Sequence, residues 1–178
     1  MPSPLAHIGL ALALRAAVLP AAPVWGPDAW RALLCVSFAS IAPDLDVLPL
    51  LISGDGVGAH RGPSHSVLGA ALIGLILSVI TGLRGKERAV VVLVSALHVL
   101  LDWSTGEPGA PIRYGVPWAW PFSSERAMSS VPWFGVFHID SSEGLGAMFS
   151  VAALPVYGRE LLTVGVAGLL AWAVRNYR

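Results

Sequence analysis

Residues 66–83, SVLGAALIGLILSVITGL, contain no charged side chain. Eighteen such residues come close to the length of helix needed to cross a bilayer. The turn RGKER at 84–88 follows at once and holds three of the chain's eleven basic residues. A second apolar run, AVVVLVSALHVLL, comes next. Two apolar segments one tight turn apart read as a helical hairpin in lipid. The composition points the same way: 12% of residues are charged, against about 25% in soluble domains.

Apolar runs also occupy residues 4–19, 30–42 and much of 145–174, with the hairpin arms at 66–83 and 88–102. The expected fold is all-α, a polytopic membrane bundle of four to six helices. The chain's length suits a single domain over residues 1–178. The first run lacks a basic region before it and is broken by His7 and Arg15, so it reads as a retained helix rather than a signal peptide. It is short for a span, which leaves an interfacial or tilted helix open. The last run admits one long helix kinked at Pro155 or two short helices turning at Gly158–Glu160. Between them, residues 103–143 form a long outer loop rich in Pro, Gly, Ser and Trp, where a functional loop or lid is expected. Its Trp118, Trp120 and Trp133 suit headgroup level. Net charge is zero, which gives no electrostatic case for a nucleic-acid partner. The lone Cys35 excludes a disulfide framework and a thiolate metal cluster.

Positive charge between spans marks the cytoplasmic side. With residues 84–88 inside, His60–Ser66 and His98–Asp102 share the outer face. The sequence PDLD at 43–46 emerges there too, and His7 begins there, while Arg15 and Arg31 fall inside. Polar residues that could bind a metal therefore converge from four segments onto one face.

In HVLLD, His98 and Asp102 are four residues apart, which puts them on one helix face and in reach of one ion. Ionisable groups near the end of an apolar helix are costly unless paired or functional, and a self-neutralising pair is the ordinary alternative. Asp44 and Asp46 would repel at a hydrophobic boundary unless a cation lay between them. Alternate residues of an extended segment point to opposite sides, so the two need not serve one ion, and a solvated turn is the ordinary alternative. In HRGPSHS, Gly62–Pro63 can fold His60 and His65 toward each other. Arg61 stays cationic and could hold an anion such as phosphate. Ser64 or Ser66 can cap the following helix. His7 alone would read as a core histidine, but it faces the same side. His138, with Asp140 and Glu143, either extends the cluster or is loop. The candidate metal ligands are thus His7, Asp44, Asp46, His60, His65, His98 and Asp102. Imidazole with carboxylate suits zinc, or manganese or iron, and the number of groups allows one or two divalent ions.

The ordered elements HIGLAL, PDLD, HRGPSHS and HVLLDWST, over residues 7–105, resemble the YdjM-like family, with WPF at 120–122 a weaker echo. Ser64 stands where that family usually has threonine. These are small inner-membrane proteins described as membrane-bound metal-dependent hydrolases and as LexA-binding. The resemblance implies an inner-membrane location, hydrolase activity and a protein partner. More distantly the chain resembles the zinc-dependent phospholipase C and single-strand nuclease group, which implies that His98 and Asp102 are ligands, joined by His60, His65 and an aspartate of PDLD. The second, HxxxE helix of that group has no matching form here, since His138 and Glu143 are five residues apart.

The expected function is metal-dependent hydrolysis of a phosphoester on a lipid or lipid-linked substrate entering from the bilayer. Asp44 or Asp46, whichever is not a ligand, would be the general base, and Arg61 would stabilise phosphoryl charge. Two rivals stand beside it. A metal-stabilised membrane scaffold would recruit a protein partner without catalysis. Metal transport would need polar residues along the spans, and residues 66–83 show almost none.

Overall fold

A computed structural model describes residues 2–19, 26–48, 60–106, 112, 115–136 and 144–177. Among them are five α-helices and no strand: α1 (Pro4–Val18), α2 (Pro27–Ile41), α3 (Val67–Ile80), α4 (Gly85–Trp103) and α5 (Leu154–Asn176). The all-α expectation holds. One helical stretch, Val151–Asn176, is long and apolar enough to cross a membrane by length and composition, while Pro4–Val18 and Val67–Ile80 are apolar but shorter.

The arms of the hairpin are α3 and α4, and their packing follows from small residues. Ala70, Gly74 and Ser78, spaced by four, are the buried residues of α3. A Cβ on Gly74 would lie 2.9 Å from the Val91 carbonyl oxygen, and Ser95 Oγ donates to the Ala70 carbonyl at 2.7 Å. Small residues at this spacing let two backbones approach closely where lipid offers no hydrophobic drive. Helix α3 is shorter than the apolar run that suggested it because Gly82 adopts φ 69. Leu83 N–H then donates to Ser78 and Gly82 N–H to Val79, closing the helix with a left-handed glycine cap.

The buried face of α4 runs from Val90, Val91 and Val94 through Ser95 to His98, Val99 and Asp102. Its lower part packs with Ala11 of α1 and with Ala32, Cys35, Val36 and Ala39 of α2 into the main core. The same face therefore carries both the core valines and, at its end, the two ionisable side chains. Helix α5 runs parallel to α1, with Glu160 against Ser3 and Val164 against Gly9. Pro155 lies in the first turn of α5, where its missing N–H costs nothing, so it starts the helix instead of kinking it. A single helix thus resolves the two options left by the sequence.

These connections bring one end of every helix together: the starts of α1, α3 and α5 and the ends of α2 and α4. At the opposite end, where the expected turn at 84–88 is already helical from Gly85 onward, Arg15 of α1 binds Glu87 in the first turn of α4 at 2.5 Å. The described part of the long loop covers the first end. Val67 N–H of α3 donates to the Trp118 carbonyl, Trp118 packs on Trp103, and Trp133 Nε1 donates to Thr163 of α5 at 3.0 Å.

Candidate metal centre

Helix α2 runs directly into a 3-10 turn, Ala42–Asp46. At three residues per turn, positions two apart point in different directions, and the two aspartates diverge accordingly. Asp46 turns to the HRGPSHS segment. Its Oδ1 lies 2.5 Å from His60 Nδ1, and its Oδ2 accepts from Gly62 N–H at 3.1 Å and from Ser64 Oγ at 2.8 Å. Asp44 turns to the helix ends. Its Oδ1 faces Nε2 of His65 at 3.2 Å, of His98 at 3.3 Å and of His60 at 3.5 Å. The sequence offered the two as equals, whereas the structure gives them separate surroundings.

A second 3-10 turn, Pro63–His65, presents His65. Ser66 caps α3 by accepting from Gly69 N–H at 2.9 Å, as expected. His65 uses both ring nitrogens. Nδ1 lies 3.0 Å from Ser64 Oγ and 3.2 Å from Asp46 Oδ2, while Nε2 lies 3.2 Å from His98 Nε2 and 3.4 Å from Asp102 Oδ2. Ser64, taken from the sequence as a possible helix cap, bridges Asp46 and His65 instead.

On α4, His98 Nδ1 sits 2.8 Å from the Ser40 carbonyl oxygen, so it carries the proton and donates. That bond leaves Nε2 as a lone pair aimed into the cluster, the usual way a backbone carbonyl sets a ligand's tautomer. Asp102 Oδ2 faces Arg61 Nε at 3.1 Å, and Oδ1 faces His7 Nε2 at 3.8 Å. The His7 ring stacks on His98, with centroids 4.1 Å apart. Arg61 is buried and holds φ 72, a left-handed backbone that bulky side chains rarely adopt. Such strain persists only where its surroundings over-determine it.

All eight residues singled out from the sequence, His7, Asp44, Asp46, His60, Arg61, His65, His98 and Asp102, meet in this one cluster. His138, Asp140 and Glu143 lie outside the described residues. Ser3 and Glu160 form a buried contact that sequence reasoning missed. Ser3 N–H donates to Glu160 Oε1 at 2.6 Å, and Ser3 Oγ donates to Oε2. No local spacing announces that pair, because its partners are 157 positions apart.

Among the described residues, two sets of groups are close enough to hold a cation. One donor atom each from Asp44, His65, His98 and Asp102 lies within 4.8 Å of the others, and so does one each from Asp46, His60 and His65. The donor chemistry, imidazole plus carboxylate, fits zinc, manganese or iron and does not choose among them. Three carboxylates facing one guanidinium leave two negative charges once the imidazoles are neutral, the charge a divalent cation would cancel. Two further observations fit a cation. Both nitrogens of His7, Nε2 of His60 and Oδ1 of Asp102 are buried without a hydrogen-bond partner, and such groups normally find one; Asp102 Oδ2 has the Arg61 ion pair. Burial would also raise the carboxyls of Asp44 and Asp46, yet the imidazoles beside them hold both well below the usual carboxylate range. His65 is pushed up to about 9, because its hydrogen bonds to Asp44 and Asp46 outweigh the burial that would lower it.

The model of the YdjM inner membrane protein family matches residues 1–177. The chain belongs to this family. Membership makes it an inner membrane protein by the family's description. No curated protein matches the chain, and no solved structure does. The YdjM family match therefore supplies the location, and the chemistry rests on the cluster.

Proposed function

We propose that this YdjM family member is a multi-pass membrane hydrolase that uses one divalent cation, most simply zinc, to cleave a phosphoester of a lipid or lipid-linked substrate. The observation that carries the proposal is the buried convergence of Asp44, His65, His98 and Asp102, with Asp102 Oδ1 left without a hydrogen-bond partner. These four are the proposed ligands. A cation held there would supply Lewis acidity toward water and toward a phosphoryl oxygen.

The remaining groups divide the work. His60 Nδ1 is held by Asp46 at 2.5 Å, and its Nε2 is buried without a partner on the side of Asp44. A carboxylate behind one nitrogen and an open lone pair at the other is the arrangement of a general base. His60 would take the proton of the attacking water, with Asp46 stabilising the imidazolium. This places Asp46 behind the base, because both its oxygens are engaged by the 60–66 turn. Arg61, paired through Nε to Asp102, keeps a positive charge beside the cluster, where charge developing on a phosphoryl group would be stabilised. The resemblance to zinc-dependent phospholipase C supports the reaction class by analogy.

The orientation is part of the proposal. The five helices present their site ends together, and Arg15, Arg84, Lys86, Arg88 and Arg175 occupy the other ends. The positive-inside rule would then put the cluster on the outer face. Because α1 and α3 are shorter than a full span, local thinning of the bilayer or flanking segments must make up the length.

One observation favours the scaffold instead: the cluster ties together α1, α2, α4 and the 60–66 turn, as a structural pin would. Turnover separates the two. Purified protein should release phosphate-bearing product from phospholipid vesicles, stop when the cation is chelated, and recover when zinc is restored. Protein with full metal content and no turnover on any phospholipid would favour the scaffold.

A further inference from the structure

Beneath the metal cluster, between α1, α4 and α5, lies a cavity of about 380 Å³. Its walls are apolar, with Leu14 from α1, Leu97 and Leu101 from α4, and Ala167 and Leu170 from α5. Ser40 and His7 are its polar lining residues. His7 is buried, has no hydrogen-bond partner at either ring nitrogen, and lies against Asp102 and His98 of the cluster. One side chain thus belongs to both the cavity and the site. At the surface, the lining residues Leu100, Leu170 and Val174 are also exposed, so the cavity opens on the flank of the helix long enough to span a membrane.

We infer that this cavity holds one hydrocarbon chain of a phosphate-bearing lipid, entering between α4 and α5, with its head group at the cluster. The inference rests on the phosphoester reading of that site and adds where the substrate's chain lies. The volume falls within the ~300–1,000 Å³ typical of ligand pockets. At roughly 30 Å³ for each methylene-sized group, it takes on the order of a dozen carbons, one chain and not two. The lining has almost no polar atom to satisfy, which suits an alkyl chain and excludes a sugar or peptide. His7, the polar group at the cluster side of the cavity, marks the junction between the chain and its phosphate.

The test uses the full chain in phosphatidylcholine nanodiscs and a dodecyl phosphate carrying a terminal diazirine. After photolysis, adducts are mapped by mass spectrometry, and metal content is read on the same samples. Adducts should concentrate on Leu14, Ala17, Val94 and Leu170, toward the end of the cavity away from the cluster. Filling the cavity by Ala13→Phe or by Ala167→Phe should cut them by roughly tenfold, the effect of excluding two or so methylenes, with metal content unchanged. Leu169→Phe, on the exposed face of α5, should leave the adduct pattern as it was. Adducts spread equally over lipid-facing residues such as Ile76 and Val79 and insensitive to both filling substitutions would overturn the inference. The wild-type map decides this even if a filled variant does not fold. Adducts confined to the cavity in a protein that binds no metal would keep the chain site and retire the metal reading alone.

Discussion

The distinction between Asp44 and Asp46 is the finest detail of the site, and it rests on a turn of five residues. Asp44 Oδ1 faces three imidazole nitrogens, whereas Asp46 is occupied in holding the 60–66 turn. Asp44→Ala should therefore abolish stoichiometric metal binding. Asp46→Ala should weaken it by about 10–100-fold, the usual effect of losing a group that orients a ligand; competition with a chelator of known affinity measures both. His60→Asn should keep one metal ion and lose about 10²–10⁴ in turnover, as expected for a general base. If His60 instead helped hold a second ion, metal content would fall with it. Metal uptake should also release protons. His65, raised to about 9 without a cation, is protonated at neutral pH and must give up that proton to bind, so affinity should rise with pH up to about 9. At this scale the sequence was informative about membership and silent about role. The HxxxD spacing placed His98 and Asp102 on one face, but nothing in PDLD says that the chain enters a 3-10 turn there.

Helices, by contrast, were legible wherever apolar residues ran together, and their limits were set by single residues. The run at 66–83 promised a full span, but Gly82 ends α3 after Ile80. Pro155 allowed a kink, but its position in the first turn makes it a start. Ser66 caps α3, so Ser66→Ala should lower stability by about 1 kcal/mol, visible as a drop in Tm in detergent with metal content retained. Gly74→Val should cost more than Ser66→Ala, because its Cβ would meet the backbone of α4 at Val91 and Val92, which cannot move aside. That the small residues of α3 meet α4 could be read from Ala70, Gly74 and Ser78 once the hairpin was recognised. The contact of Ser3 with Glu160 could not, since it depends on how α1 and α5 pack and leaves no periodic trace.

For the molecule as a whole, the organising fact is that the helix ends bearing the clustered histidines and aspartates collect at one pole, and most of the described basic residues lie at the other. Alternating segment direction, read from the basic turn at 84–88, already implied that arrangement, and the packing of the five helices agrees with it. A topology test follows. In a Cys35→Ala background, a cysteine at Ser123 in the site-end loop should react with a membrane-impermeant thiol reagent from outside. A cysteine at Lys86 should react only after permeabilisation. The cluster itself is tested most directly by elemental analysis of purified protein beside His98→Ala and Asp102→Ala. The account predicts about one zinc or similar divalent ion per chain, lost in both variants while the helical content is kept. Wild-type protein that binds no metal after reconstitution would contradict it.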